Sequence, residues 1–137
     1  MALIDGSVHH FGYATQDIAK SEKLFQGFGY YACSDLIEDQ KLGVCVKFYS
    51  LKNNSVKVEL IMPITSVKNP LKPILKQRAG FYHVALVSGN FSETANLLKL
   101  KSISDKMPAL AFEGAEIQFF VSKDAGIVEL ISYYDGA

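Results

Sequence analysis

Apolar and polar positions along this chain alternate in blocks that repeat. A first extended run, Val8-His9-His10-Phe11-Gly12-Tyr13-Ala14, ends at Thr15-Gln16-Asp17, which supplies capping chemistry for a helix over roughly 16–27. Within it Ile18, Leu24, Phe25 and Phe28 fall mostly on one face, and Gly27 or Gly29 ends it. Extended runs are then expected at about 30–37, 43–50 and 56–62, with Asn53-Asn54 turning the second into the third. The second half opens on Phe81-Tyr82-His83-Val84-Ala85-Leu86-Val87. Ser88-Gly89-Asn90 precedes a short helix near 91–99, and a weak strand lies within 101–112. Glu113-Gly114 leads into 115–121, and Asp124-Ala125-Gly126 into 127–133. Both halves read βαβββ. Between them a connector, 63–80, carries Pro63, Pro70 and Pro73 and room for one short helix, LKPILKQ. The reading is therefore α+β, one domain of two modules at about 7–62 and 81–134.

The repeat extends to individual residues. Val58-Glu59-Leu60-Ile61 recurs as Val128-Glu129-Leu130-Ile131, each with one carboxylate inside an apolar run. The His pair His10 and His83 and the Glu pair Glu59 and Glu129 have nearly the same offset (83 − 10 = 73; 129 − 59 = 70). Because side chains alternate along a strand, His10 shares a face with Val8 and Gly12, and Glu59 with Lys57 and Ile61. His83 goes with Phe81 and Ala85, and Glu129 with Ile127 and Ile131. A first-strand His and a last-strand Glu are thus expected on one side of a curved mixed sheet in each module. Pairing the modules would bring all four into one cleft.

Composition narrows the function. The chain has 137 residues, 49% hydrophobic and 20% charged, enough for one domain with a core. Fourteen basic residues balance fourteen acidic ones, so charge makes no case for nucleic acid or an anionic membrane. No apolar run reaches membrane-spanning length and no basic region leads into one, so a cytoplasmic protein is expected. Cys33 and Cys45 lack metal-ligand spacing and read as buried free thiols.

Alone, a strand Glu is ordinarily solvent-facing and a strand His a hydrogen-bonded structural residue. The duplication argues otherwise, since a charge facing a core must be paired, protonated or metal-bound. Imidazole and carboxylate suit zinc, nickel, cobalt, iron or manganese. Four such ligands leave room for substrate oxygens, and a ligand carboxylate is a candidate base for a proton beside a carbonyl.

On HHFGYATQDIAKSEKLFQGFGY, VKVELIMP, NPLKPILKQRAGFYHVAL and GIVELI, the chain resembles the vicinal oxygen chelate (glyoxalase/bleomycin resistance/dioxygenase) superfamily. The nearest branch is that of glyoxalase I and methylmalonyl-CoA epimerase. The resemblance implies paired βαβββ modules around a divalent metal ion, nickel, cobalt or zinc. It places His10, Glu59, His83 and Glu129 at the metal, with Glu129 the main base and Glu59 a ligand or second acid/base. It also implies a small-molecule substrate, a thiol-conjugated 2-oxoaldehyde or an acyl-CoA, and a homodimer.

Departures bear on the reaction. Ala14 stands where glutathione-using glyoxalases commonly carry an Arg. Where epimerases carry a second acid/base Glu, the aligned residue is Lys41, with Glu38 nearby. A carboxylate at the Glu59 position differs from the family's iron dioxygenases, and a full ligand set differs from its bleomycin-binding members. The leading expectation is a glyoxalase I-type lyase or isomerase; an acyl-CoA epimerase is the alternative. A dioxygenase or a non-catalytic binding protein forms the other class. Lys47, Lys72, Lys76 and Arg78 read as a solvated charged set that could also meet a carboxylate or phosphate. His9 reads as a packing or surface residue, and Phe48, Tyr49, Phe119 and Phe120 as core or cleft lining. Tyr133 and Tyr134 are candidate interface residues.

Overall fold

A computed structural model describes residues 8–52, 56–64, 80–123 and 126–133. The chain is α+β and falls into two compact units, His10–Tyr82 and His83–Ala137 with Met1–His9. The Asn53-Asn54 turn, the connector helix, Lys72, Lys76, Arg78 and Tyr134 lie outside the described residues.

The first module runs β1 (Val8–Ala14), α1 (Ile18–Gly27), β2 (Tyr31–Ala32), β3 (Ile37–Asp39), β4 (Val44–Ser50) and β5 (Lys57–Pro63). Its strands are ordered β2-β4-β5-β1, with β3 also on β4. Only β1 and β5 run parallel in this set, as the helical crossover between them allows. Asp17 caps α1 by accepting from the Lys20 N–H at 3.3 Å. At the other end Gly29 takes φ +94°, a left-handed turn that glycine adopts without steric cost. α1 lies against one sheet face, where Ile18 and Phe25 pack with Cys45, Tyr49, Val58 and Leu60.

The second module runs β6 (Gly80–Val87), α2 (Phe91–Leu98), β7 (Lys101–Ser102), β8 (Met107–Pro108), β9 (Ala115–Ser122) and β10 (Gly126–Tyr133). Its order, β6-β10-β9-β7 with β8 on β9, copies the first. Asn90 caps α2 by accepting from the Glu93 N–H at 3.0 Å. Phe91 packs with Phe120, Val128 and Leu130 on the helix face. Among the described residues, no helix is long and apolar enough to cross a membrane.

The repeat is deeper than the motif. The Thr15 N–H donates to the Ile61 carbonyl and the Ser88 N–H to that of Ile131, both at 2.8 Å. Ser21 bonds the Thr15 hydroxyl at 2.7 Å, and Ser88 and Thr94 pair at 2.6 Å. Together these bonds tie each helix start to the strand that carries its module's Glu.

Four expectations are corrected. The run at 30–37 is not one strand. Ser34 Oγ accepts the Phe48 N–H at 3.0 Å, interrupting the ladder between β2 and β3. Ser104 repeats this with the Phe119 N–H at 2.9 Å, which splits the weak 101–112 strand into β7 and β8. Cys33, at the end of the edge strand β2, is exposed; Cys45 is buried, and both are free thiols. Lys47 is committed elsewhere: it points to the α1 face and pairs with Glu22 at 2.9 Å.

Glu22 Oε2 also accepts from the buried Tyr49 hydroxyl at 2.5 Å. The Tyr49 and Lys47 bonds hold the Glu22 carboxyl below its ordinary 4.5, and burial with the same bond pushes the Tyr49 phenol up. A carboxyl lowered on folding stabilises above its unfolded pKa, and that contribution is lost as pH falls through 4.5 to the lower folded value. Glu22→Gln is therefore expected to lower the melting midpoint at neutral pH. The gap from wild type should close as the pH falls below 4.5, in thermal melts across that range. A gap independent of pH would contradict this assignment.

Candidate metal centre

The two modules present their His and Glu by the same register. In the first, β1 and β5 align His10 with Lys57 and Gly12 with Glu59. In the second, β6 and β10 align His83 with Ile127 and Ala85 with Glu129. Aligned residues of a parallel pair share a face, so each Glu lies diagonally one pair along from its His. The Nε2 of His10 lies 3.2 Å from Oε1 of Glu59, and the Nε2 of His83 lies 3.2 Å from Oε1 of Glu129. The sequence-expected His–Glu partnership is thus present in each module, on the face opposite the helix.

All four side chains are out of water: His10 is 0% exposed, Glu59 8%, His83 6% and Glu129 4%. Their neighbours are apolar, with Val58, Leu60 and Ile61 buried around Glu59, and Val128, Leu130 and Ile131 around Glu129. A buried carboxylate is costly unless its charge is compensated. The imidazole beside each supplies one partner, and each module's His–Glu pair offers one nitrogen and one oxygen of the types that divalent transition metals take.

An aromatic edge supports each imidazole, a feature that sequence reasoning places only as core or lining. Phe48 stands directly opposite Glu59 across β4–β5, and Phe119 opposite Glu129 across β9–β10. Their rings meet the imidazoles of His10 and His83 edge-on, at 5.3 and 6.3 Å between centroids. The same two residues give their backbone N–H groups to Ser34 and Ser104. The signal in the sequence is a Phe 11 residues before one Glu (59 − 48) and 10 before the other (129 − 119).

Other candidate groups lie elsewhere. Glu38 pairs with Cys45 across β3–β4, which places it on the α1 face, away from His10 and Glu59; its carboxylate accepts from the Gln40 side-chain amide. Lys41 is exposed in the following turn. His9 bonds the Tyr133 hydroxyl through Nε2 at 2.7 Å and meets Phe112 edge-on at 4.7 Å, a packing role as expected. The Tyr133 phenol is pushed up by burial and by the charge of Glu129.

Known proteins share this geometry's frame. No curated protein matches the chain by sequence. Among solved structures, a hypothetical protein of Bacillus halodurans C-125 is similar at 19% identity and TM-score 0.77, covering 96% of both chains. Methylmalonyl-CoA epimerase from Mycobacterium tuberculosis is similar at 15% identity and TM-score 0.79, over 98% of this chain and 91% of that one. A variant of Streptomyces coelicolor methylmalonyl-CoA epimerase, in complex with 2-nitronate-propionyl-CoA, is similar at 17% identity and TM-score 0.74, over 98% and 97%. These likenesses establish the fold. The model of one family, the Glyoxalase/Bleomycin resistance protein/Dioxygenase superfamily, matches residues 9–131, nearly the whole length, and the chain belongs to that superfamily.

Proposed function

We propose that His10, Glu59, His83 and Glu129 together hold one divalent metal ion, nickel, cobalt or zinc. On this reading the chain is a glyoxalase I-type lyase acting on the hemithioacetal of a 2-oxoaldehyde and a thiol. The observation that carries the reading is the duplicated buried pair, with an imidazole nitrogen and a carboxylate oxygen 3.2 Å apart in each module. The donor set fits the ion: two nitrogens and two carboxylate oxygens on strands, with coordination positions left for substrate oxygens. When bound, such an ion polarises a carbonyl and stabilises the charge that develops as the neighbouring C–H loses its proton.

The chain's own residues do the rest. Glu129 takes the proton from C1 of the hemithioacetal and returns it to C2, while the proton of the C1 hydroxyl passes to the oxygen on C2, which yields a thioester with no net change in atoms. Ile131, fully buried beside it on the same face, excludes water from that carboxylate. Glu59 holds its place beside His10 as ligand or second acid/base. A small thiol-linked molecule is the partner, and the working form is a homodimer.

A second reading, acyl-CoA epimerisation, is supported by the fold shared with methylmalonyl-CoA epimerases. Epimerisation needs acid/base groups on both faces of the carbon. With Glu38 on the α1 face, Glu59 and Glu129 would have to be those two groups. The test is turnover of the metal-loaded protein against methylglyoxal with glutathione, beside deuterium exchange from methylmalonyl-CoA. Thioester formation is the expected result. Exchange without it would favour epimerisation, and neither activity would overturn both readings.

A further inference from the structure

Besides the four ligands, a dipeptide recurs at one fixed distance in both modules. Ser34-Asp35 begins 25 residues before Glu59, and Ser104-Asp105 begins 25 before Glu129 (59 − 34 = 25; 129 − 104 = 25). Each Ser hydroxyl donates to the carbonyl of the Asp that follows it, at 2.8 Å in the first module and 3.0 Å in the second. With its proton committed there, the oxygen is left as an acceptor. Ser34 Oγ takes the Phe48 N–H at 3.0 Å, and Ser104 Oγ takes the Phe119 N–H at 2.9 Å. The preceding residue holds the other end of the same Phe. The Cys33 N–H donates to the Phe48 carbonyl and the Ile103 N–H to the Phe119 carbonyl, both at 2.9 Å.

The Phe held in this way is the one beside the ligands. Phe48 lies directly opposite Glu59, and Phe119 directly opposite Glu129. Their rings stand nearly perpendicular to the imidazoles of His10 and His83, at 83° and 80°. A ring in that place limits how far the imidazole can turn about its own side-chain bond. Such a turn would carry Nε2 away from the carboxylate oxygen that lies 3.2 Å from it. A ligand already fixed in direction loses less freedom when an ion binds, so it binds the ion more tightly. Each outer strand breaks at the residue that grips this Phe, and it does so in both modules.

We infer that Ser34 and Ser104 are positioning residues of the metal centre: each fixes a Phe whose ring keeps a ligand imidazole turned toward its Glu. The inference rests on the metal-centre reading above and extends it to two residues that touch neither ligand. A ladder carbonyl could accept the Phe N–H as well. The hydroxyl does so where the outer strand bends away, and keeps that N–H paired at the break.

Cobalt-loaded protein provides the test, read through its visible spectrum and its rate of cobalt loss to EDTA. Ser34→Ala and Ser104→Ala should each shift the cobalt bands and speed the loss about tenfold, the low end for removing an outer-shell partner. Ser34→Thr and Ser104→Thr keep the hydroxyl and should stay near wild type. Phe119→Leu removes the ring and keeps the hydroxyl; it should match Ser104→Ala, and combining the two should add little. Glu22→Gln weakens the fold on the α1 face and should leave both cobalt readouts unchanged. Alanine variants with wild-type spectrum and release, or the same change in Glu22→Gln, would overturn the role of the serines while leaving the metal centre intact. So would full additivity of Ser104→Ala with Phe119→Leu. Wild-type cobalt behaviour in Phe119→Leu would overturn it even if neither alanine variant folds. A cobalt spectrum absent from every protein, wild type included, would overturn the metal reading and the role of the serines with it.

Discussion

Glu129→Gln is expected to lower turnover by about two to four orders of magnitude, the usual contribution of a positioned general base. Its shape is unchanged and its side-chain oxygen can still face His83, so the variant should fold and retain metal. What it loses is the ability to take a proton. The measurement is kcat at matched metal content, with metal determined on the same sample. Glu59→Gln separates the two carboxylates: if Glu59 serves mainly as a ligand, its loss weakens metal binding more than it slows the loaded protein. Turnover of Glu129→Gln within tenfold of wild type would remove Glu129 from the role of base.

The second large effect concerns the imidazoles. His10→Ala and His83→Ala should each weaken metal binding by more than about a hundredfold, beyond the 10–100-fold typical of losing an outer-shell partner. The two losses should be similar, because the two modules hold their His by the same register and the same 3.2 Å contact. Each variant also strands a buried carboxylate, Glu59 or Glu129, so the metal-free variants should melt below the metal-free wild type. Competition against a chromophoric chelator reads the first effect and thermal melting the second. If one His can be lost without consequence for metal, the duplicated pairs do not act together.

Much of the fold and of the candidate site is legible in the amino-acid sequence. The two capped helices can be read because Asp17 and Asn90 sit just before amphipathic runs. The ligand strands can be read because a carboxylate inside Val-Glu-Leu-Ile conflicts with its neighbours, and the same conflict occurs twice. Period-two alternation allows each His and its Glu to share a face, and the strand registers put His10 with Glu59 and His83 with Glu129.

What the sequence does not show has physical causes. The breaks at Ser34 and Ser104 arise from single side-chain oxygens replacing a ladder acceptor, and a Ser carries no periodic signature. Strand β4 is buried on both faces at every position but Lys47, so its alternation is too weak to say which way that lysine points. Its partner, Glu22, comes from a helix 25 residues away in sequence, which local pattern does not reach. Cys33 reads as an inside residue because the run at 30–37 resembles one full strand; at the end of a two-residue edge strand it lies in water.

The central claim is that the two His–Glu pairs hold one ion, and metal content tests it most directly. Protein loaded with nickel, cobalt or zinc and freed of excess should retain one metal ion per chain by elemental analysis. His10→Ala and His83→Ala should retain far less under the same conditions. No retained metal in the wild type, or equal retention in all three proteins, would contradict the account.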